Sequence, residues 1–415
     1  MGIWSFRHAA LGVCAATMLS GCGGSQPPIG ASDAPVQSRA IAASPNNKNY
    51  KVLYSFSKVP DGNNPRASLI DVNGTFYGTT QNGGYGWGTV FSITPSGTET
   101  VLYSFGAAPD GETPLASLID VDGTLYGTTS EGGSNTCGGN HYYPSVTCGT
   151  VFSVTLEGTE TVLHSFGAGA DGVEPLASLI DVNGTLYGTT FIGGAGVCEP
   201  AGHYRCGTVF NITTSGSEKV VVRFAQRAHP HWPHAGLINV GGTFYGATER
   251  GGRYKRYGTV FSITRSGKVK VLHSFDSNGT DGFYPLSLIE VGGTLYGTTY
   301  YGGVYGGGTV FSITASGTEK VLHSFGNGTD GARPVASLID ANGTLYGITS
   351  SGGEYAGGTV FSLAQSGTEQ VLHSFGHGKD GSDPVAALID VNGTLYGTTE
   401  SGGTHDEGAV FALIP

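Results

Sequence analysis

Residues 338–375, "LIDANGTLYGITSSGGEYAGGTVFSLAQSGTEQVLHSF", decide the fold because they contain four short runs rich in β-branched and aromatic residues. Turn sequences separate these runs. Asn342 and Gly343 stand between the first two runs, and "QSGTE" precedes the last one. An Asn-Gly pair suits a two-residue turn that joins adjacent antiparallel strands. The stretch therefore predicts a meander of four antiparallel strands.

This unit recurs along the chain. Its last run, "VLHSF" or a variant, starts at Val52, Val101, Val162, Val220, Val271, Val321 and Val371. A four-stranded repeat of about 50 residues is typical of a β-propeller blade. The composition agrees, with 72 Gly, 12% charged residues and 2 Met, which favours strands and turns over helices.

The two chain ends indicate how many blades there are. The C-terminal repeat stops after its third strand, at "AVFALIP", whereas "KVLYSF" at 51–56 is a fourth strand with no first three before it. Pairing them completes a blade and leaves no unmatched strand edge. We therefore predict an all-β, seven-bladed propeller with blades at 67–105, 116–166, 177–224, 235–275, 286–325, 336–375, and 386–415 joined by 51–56.

The N-terminal segment has the features of an export signal. An apolar run, "AALGVCAATML", leads into "LSGC", which ends at Cys22. "LSGC" resembles the lipobox of bacterial lipoproteins. This resemblance implies a signal peptide at 1–21, lipid attachment to Cys22, and, because Gly23 follows, the outer membrane or cell surface. Residues 22–50 then form a flexible tether. An ordinary secretory signal with an incidental cysteine is the alternative.

The repeat also resembles a known family. "LIDVNGTLYGTT" followed by "GTVFSIT" and "VLHSF" is similar to the Gloeo/Verruco (GloVer) tandem repeat of choice-of-anchor bacterial surface proteins, over nearly all of 51–415. The resemblance implies the fold and surface anchoring. A more distant similarity is to kelch blades, through Gly-Gly pairs such as Gly302 and Gly303. Phe311 and Phe325 replace the kelch Tyr and Trp, so no kelch-type partner is transferred.

Two sets of polar residues recur from blade to blade. His164, His273, His323 and His373 share one position with Tyr54 and Tyr103, and we interpret them as packing residues. Six Asp residues precede Gly and stand four residues before Pro, at Asp61, Asp110, Asp171, Asp281, Asp330 and Asp380. We interpret them as turn residues because a calcium site needs six to eight oxygens. No metal and no cofactor are predicted.

The propeller topology places two kinds of connection on one face, which we call the long-loop face: the loops between second and third strands, and the crossings between blades. All length variation falls there. Two of its insertions carry Cys137 with Cys148 and Cys198 with Cys206, which predicts two disulfides in an exported protein. Zinc, with His141 or His203 as an added ligand, is the alternative.

One crossing departs from the repeat. In "AQRAHPHWPHAG" at 225–236, His229 replaces the repeated Asp and Pro230 the Gly that follows it. Residues 219–270 hold ten of the chain's 20 Lys and Arg but one acidic residue, Glu249. This sector predicts a site for an anionic or sugar-like ligand. Its residues are His229, His231, Trp232, His234, Arg250, Arg253, Tyr254, Lys255, Arg256, Tyr257 and Tyr204. Drift of one repeat is the alternative.

These observations favour a surface-anchored, non-catalytic, monomeric binding protein that recognises an acidic extracellular glycan or a surface protein through its long-loop face. A polysaccharide lyase or hydrolase is the second hypothesis, with His229, His231 or His234 as acid or base. A purely structural surface protein is the third. A net charge of −11 argues against a nucleic-acid partner. The lipid is the only expected contact with the membrane.

Overall fold

The computed structural model describes residues 49–137, 146–194, 206–224, 230–254 and 256–415. The predicted signal peptide, the lipid on Cys22 and most of the tether lie outside these ranges and stay predictions. In the part of the chain that is described, no helix is long and apolar enough to cross a membrane.

Seven four-stranded antiparallel sheets form the predicted seven blades. Blade 1 contains the strands Ile70–Val72, Thr75–Thr80, Thr89–Ile93 and Glu99–Ser104. Blade 2 contains Ile119–Val121, Thr124–Thr129, Thr150–Thr155 and Glu160–Ser165. Blade 3 contains Ile180–Val182, Thr185–Thr190, Thr208–Thr213 and Glu218–Arg223. Blade 4 contains Ile238–Val240, Thr243–Thr248, Thr259–Thr264 and Val269–Ser274.

The remaining blades complete the ring. Blade 5 contains Gly282–Val291, Thr294–Gly302, Thr309–Thr314 and Glu319–Ser324. Blade 6 contains Ile339–Ala341, Thr344–Thr349, Thr359–Ala364 and Glu369–Ser374. Blade 7 contains Ile389–Val391, Thr394–Thr399, Ala409–Leu413 and, from the N-terminal side, Tyr50–Ser55. The last two strands pair with Tyr50 opposite Leu413 and Ser55 opposite Ala409, which confirms closure by the N-terminal strand.

Short ladders tie crossings to the nearest loop of the long-loop face. Three of them are Gly62–Asn63 with Asn82–Gly83, Gly111–Glu112 with Glu131–Gly132, and Gly172–Val173 with Ile192–Gly193. A further ladder, Thr136–Cys137 with Val146–Thr147, lies within the loop between the second and third strands of blade 2. In blade 5 the equivalent ladder merges with the sheet, so that Phe283 pairs with Tyr301 and the first strand begins four residues before the predicted blade boundary.

The core lies between blades and is built from paired phenylalanines. Phe325 directly follows the fourth strand of blade 5. It packs against Phe361 of blade 6, with ring centroids 4.9 Å apart. The other six pairs repeat this contact: Phe56–Phe91, Phe105–Phe152, Phe166–Phe210, Phe224–Phe261, Phe275–Phe311 and Phe375–Phe411. All these rings are buried. Each blade is therefore held to the next by the same apolar contact.

Candidate functional site

Seven residues with left-handed backbone conformation form a ring, one in the crossing that leads into the first strand of each blade. We call them the αL ring: Asn64, Thr113, Glu174, Trp232, Tyr284, Arg333 and Asp383, each directly before a repeated Pro and with φ between 52° and 62°. At Trp232 the N–H donates to the Cys206 carbonyl at 3.0 Å, and the carbonyl accepts the N–H of Glu249 at 2.9 Å. The backbone is the same around the ring, whereas the side chains differ in every blade.

The predicted site residues Trp232 and Arg250 meet at this ring. The Arg250 guanidinium carbon lies 4.8 Å from the centroid of the Trp232 ring and 5.9 Å from that of Tyr284. Phe191 also contacts Trp232, with ring centroids 5.7 Å apart. Such cation–π contacts hold a guanidinium over an aromatic face. The sequence predicted Trp232 and Arg250 together, and the structure places them together.

The aromatic and arginine contacts continue into the next two blades. The Tyr284 and Tyr301 rings lie 6.2 Å apart, and the Arg333 guanidinium lies 5.9 Å from the Tyr301 ring. We call Trp232, Arg250, Tyr284, Tyr301 and Arg333 the aromatic–arginine arc. Sequence reasoning missed Arg333 because its blade looks regular. The available signal was its position directly before Pro334, the same as that of Trp232 before Pro233.

His231 is in the site sector but is not accessible. It is 1% exposed, and its backbone pairs with Arg250 through hydrogen bonds of 3.1 and 3.2 Å in the two directions. The same bridge joins Ala332 to Ser351 in blade 6. The unusual crossing therefore returns to the regular backbone path at His231.

His234 follows Pro233 and lies near Phe191, which contacts Trp232 of the arc. Its ring makes an edge contact with Phe191, with centroids 6.0 Å apart. Burial lowers the pKa of His234 to about 4, and the positive charge of Arg66 lowers it further in the same direction. The imidazole is consequently neutral at pH 7.

A buried carboxyl group lies beneath the arc. Glu249 is 4% exposed, and burial raises its pKa to about 7, opposed by Arg250. One carboxylate oxygen lies 3.7 Å from Arg250 Nε. Glu249 thus changes charge near neutral pH beside the guanidinium that faces Trp232.

Among the remaining predicted residues that are described, one contacts the arc: the Tyr257 carbonyl accepts the N–H of Tyr284 at 2.9 Å. Arg253, Tyr254 and Arg256 are exposed, and the Arg253 guanidinium lies 5.7 Å from the Tyr254 ring. Tyr254 lines a cavity at the outer strands of blades 4 and 5. Tyr257 contacts Phe283, with centroids 5.6 Å apart. His229, Lys255 and Tyr204 lie outside the described residues.

The cysteines support the αL ring directly. Cys137 and Cys148 form the predicted disulfide, and Cys206 is also disulfide-bonded, while its expected partner Cys198 lies outside the described residues. The Cys148 carbonyl accepts the N–H of Glu174 at 3.1 Å, as the Cys206 carbonyl accepts that of Trp232. Each bridge therefore fixes the loop against which one ring residue is held.

The recurring His, Tyr and Asp residues form hydrogen-bonded pairs, a link that sequence reasoning did not make. His323 Nε2 lies 3.1 Å from Asp330 Oδ2, and Tyr54 donates to Asp61 at 2.8 Å. The Asp carboxylates also accept backbone N–H groups of their own crossing, as at Gly326, which confirms the turn interpretation.

The crossing before blade 4 lacks this pair. Val222 stands opposite Val209, where His273 stands opposite Val260 in the next blade. His229 takes the place of Asp, and Val269 takes the place of the Glu that begins the fourth strand elsewhere, as at Glu319. Three positions that interact at other crossings have thus changed together around the crossing that carries Trp232.

Comparisons with known proteins agree with the fold. Virginiamycin B lyase from Staphylococcus aureus superposes with a TM-score of 0.56 at 12% identity, over 88% of this chain and 100% of that chain. A streptogramin B lyase structure gives 0.54 at 13% identity, over 88% and 96%. The WD40 propeller domain of Doa1 gives 0.54 at 12% identity, over 88% and 97%. Among proteins with curated functions, none matches significantly. The model of the Gloeobacter/Verrucomicrobia repeat matches residues 40–198 and 194–411, and the chain belongs to this family.

Proposed function

We propose that this protein is a binding propeller that holds an extracellular glycan with acidic groups against the aromatic–arginine arc. The observation that carries the proposal is the position of the Arg250 guanidinium, 4.8 Å from the centroid of the Trp232 ring and 5.9 Å from that of Tyr284. An aromatic face packs against a sugar ring, and a guanidinium held in place donates paired hydrogen bonds to a carboxylate. A lipid on Cys22 would anchor the monomer at the outer membrane or cell surface.

The charge of the site supports an acidic ligand. Arg250 and Arg333 give the arc two cations within an acidic protein, and Arg253 and Arg256 extend the positive charge outward on the exposed loop. Arg66 lies 3.5 Å from Glu400, and Arg250 likewise lies 3.7 Å from Glu249. Attraction for an anion at blades 4 to 6 therefore depends on Arg333, Arg253 and Arg256 as well as on Arg250.

A polysaccharide lyase or hydrolase is the second candidate function. The buried Glu249, with its pKa near 7 and Arg250 beside it, is the observation that favours it, since a general acid or base works best near the ambient pH. His231 and His234 support it less, because one is buried and the other is neutral.

The test is binding of the full chain to acidic and neutral glycans at low and high salt, compared with Trp232→Ala and Arg250→Gln. Tyr85→Ala is the matched control, since Tyr85 is an exposed aromatic residue of the same face on blade 1. We expect salt-sensitive binding that is at least about tenfold weaker in both arc variants and unchanged in the control.

Two results would count against this function. Equal binding by Trp232→Ala and Tyr85→Ala would remove the arc from recognition. Release of shortened or unsaturated sugars, abolished by Glu249→Gln, would establish the enzyme instead. Absence of glycan binding by the unaltered chain would leave a protein partner or a structural role.

A further inference from the structure

The crossing between blades 4 and 5 differs from its neighbours by one inserted residue. Residues 276–281, "DSNGTD", connect Phe275 to the strand at Gly282, whereas five residues, 326–330, make the equivalent connection after Phe325. The insertion places Asp276 directly after the buried Phe275. It also changes how the recurring Asp is held.

In the shorter crossing both oxygens of the Asp are used. Asp330 Oδ1 accepts the N–H groups of Gly326 and Asn327 at 3.1 and 2.9 Å, and Oδ2 lies 3.1 Å from His323 Nε2. The carboxylate is completely satisfied by the turn and the histidine. This crossing is the internal reference for the longer one.

In the longer crossing one oxygen is left over. Asp281 Oδ2 accepts the N–H of Asp276 at 3.1 Å and lies 3.4 Å from His273 Nε2. Asp281 Oδ1 accepts no hydrogen bond from any described residue, although the atom is buried and the side chain is only 10% exposed. A buried carboxylate oxygen without a donor is costly, so it needs an explanation.

A second such oxygen lies beside it. Glu319 Oε1 is also buried and accepts no hydrogen bond within the described ranges, as is true of Oε1 in the equivalent Glu99, Glu160, Glu218 and Glu369. This crossing is distinguished by the unused Asp281 oxygen and by how close the three side chains come. One ligand atom each from His273, Asp281 and Glu319 lies within 4.8 Å of the other two. These groups line a cavity of about 520 Å³.

We propose that His273, Asp281 and Glu319 bind one divalent transition metal ion of the Zn²⁺ type at the outer edge of blades 4 and 5. Imidazole nitrogen and carboxylate oxygen both bind zinc, and three protein ligands leave a position open to the cavity. Ligands of one tetrahedral zinc ion lie about 3.3 Å apart, so side-chain adjustments within the cavity are sufficient.

The chemistry favours this ion over calcium. Calcium binds six to eight oxygens and does not select imidazole. The further oxygens in the crossing are already used by the turn, since Asp276 Oδ1 accepts the N–H of Asn278 and Asn278 Oδ1 accepts three hydrogen bonds from Thr280 and Asp281. They do not complete a calcium cage.

The experiment is calorimetric titration of Zn²⁺ into the metal-stripped full chain at neutral pH. We expect one ion per chain, with binding at least about tenfold weaker in His273→Ala and in Glu319→Gln. The matched controls are His323→Ala and Glu369→Gln, which alter the same two positions at the next crossing and leave Zn²⁺ binding unchanged. Deletion of Ser277 restores the shorter crossing and abolishes binding, while thermal unfolding reports whether the variant folds.

A spectroscopic test needs no variant. Co²⁺ bound to the unaltered chain would show visible absorption of a low-coordinate site with a nitrogen ligand. The proposal is overturned if the chain takes up no Zn²⁺ at micromolar concentrations, or if His323→Ala weakens binding as much as His273→Ala does. Calcium binding that survives His273→Ala would also overturn it, since it would define an oxygen-only site.

Discussion

Tyr50 stacks on His373 with ring centroids 3.9 Å apart and planes 1° from parallel. Tyr50 begins the N-terminal strand that completes blade 7, and His373 lies in the fourth strand of blade 6. The Tyr50 hydroxyl also donates to the Asp380 carbonyl of the crossing between them. In the other blades a Glu usually holds this position, as at Glu319 and Glu369. The closing contact of the ring therefore replaces a carboxylate with an aromatic stack.

Replacing Tyr50 tests the contribution of this contact. Tyr50→Ala loses the stack and leaves a void, so we expect the free energy of unfolding to fall by about 2–4 kcal/mol. Tyr50→Phe loses only the hydrogen bond to Asp380 and should cost about 1 kcal/mol. Urea unfolding of both variants measures the difference. Equal losses in the two variants would show that stacking on His373 contributes nothing.

The second strand of each blade needs Gly where it passes the core phenylalanine. A Cβ on Gly347 would lie 2.5 Å from Phe361 Cζ and 2.8 Å from Leu338 Cδ2. We expect Gly347→Ala to lower the free energy of unfolding by about 1–3 kcal/mol through overpacking, measured by urea unfolding. Gly236→Ala is the control, because a Cβ there is 3.4 Å from its nearest neighbour and Ala387 already holds that position in blade 7.

The repetitive architecture could be predicted from the sequence because its determinants are local and repeated. Pairs such as Asn342 and Gly343, both at positive φ, fix the hairpins, and the unmatched "KVLYSF" fixes the closure. Blade 5 is where the repeat pattern was insufficient. Phe283 and Tyr301 extend its first hairpin, and that extension depends on pairing between two loops that are far apart in the repeat.

The candidate site was predictable only where composition changed. Trp232 and Arg250 stood out in a basic sector, whereas Arg333 lies in a regular blade and joins the arc only through tertiary contact with Tyr301. The link between His273, Asp281 and Glu319 was also hidden, because it depends on which carboxylate oxygen the turn leaves unused. Spacing along the chain does not encode this geometry.

The half-buried glutamates predict a pH dependence of stability. Burial, and then the negative charge of Asp110, raise the pKa of Glu160 from 4.5 to about 7. Between these pH values Glu160 holds a proton in the folded state that it has lost in the unfolded state. The contribution of Glu160 to the free energy of unfolding therefore falls as pH rises from 4.5 to 7 and is level outside this window. Glu160→Gln, which cannot ionise, should gain stability relative to the unaltered chain over the same window.

Melting temperatures from pH 4 to pH 8 would show this as a widening difference between Glu160→Gln and the unaltered chain. Glu157→Gln is the control, because Glu157 is exposed in the same hairpin. A constant difference across the range would mean that the folded state does not hold the proton on Glu160.

The disulfide in blade 2 predicts a loss of stability on removal. Cys137 and Cys148 are 11 residues apart in sequence, and closing a loop of that length contributes about 3 kcal/mol under the chain-entropy model. We expect the variant Cys137→Ala/Cys148→Ala to lose that amount in urea unfolding. On reduction the unaltered chain should lose more than this amount, because both disulfides open, whereas the double variant should lose only the contribution of its other disulfide.

The αL ring predicts one substitution that stabilises the fold. Thr113 has φ of 59°, and a β-branched residue in this conformation carries a steric cost of about 1–2 kcal/mol. Gly removes this cost, but its greater freedom in the unfolded chain cancels part of the gain in stability. Its backbone groups bond to Trp87 and Ser130 and are kept in Thr113→Gly. We therefore expect the free energy of unfolding to rise by up to about 1 kcal/mol, with Thr113→Ala as the control that keeps most of the strain.

Although the chain contains 72 Gly, no ring position is Gly, which is reasonable if the side chains contact a ligand. A loss of stability in Thr113→Gly would show instead that ring side chains stabilise the fold, and their presence would then be no argument for binding.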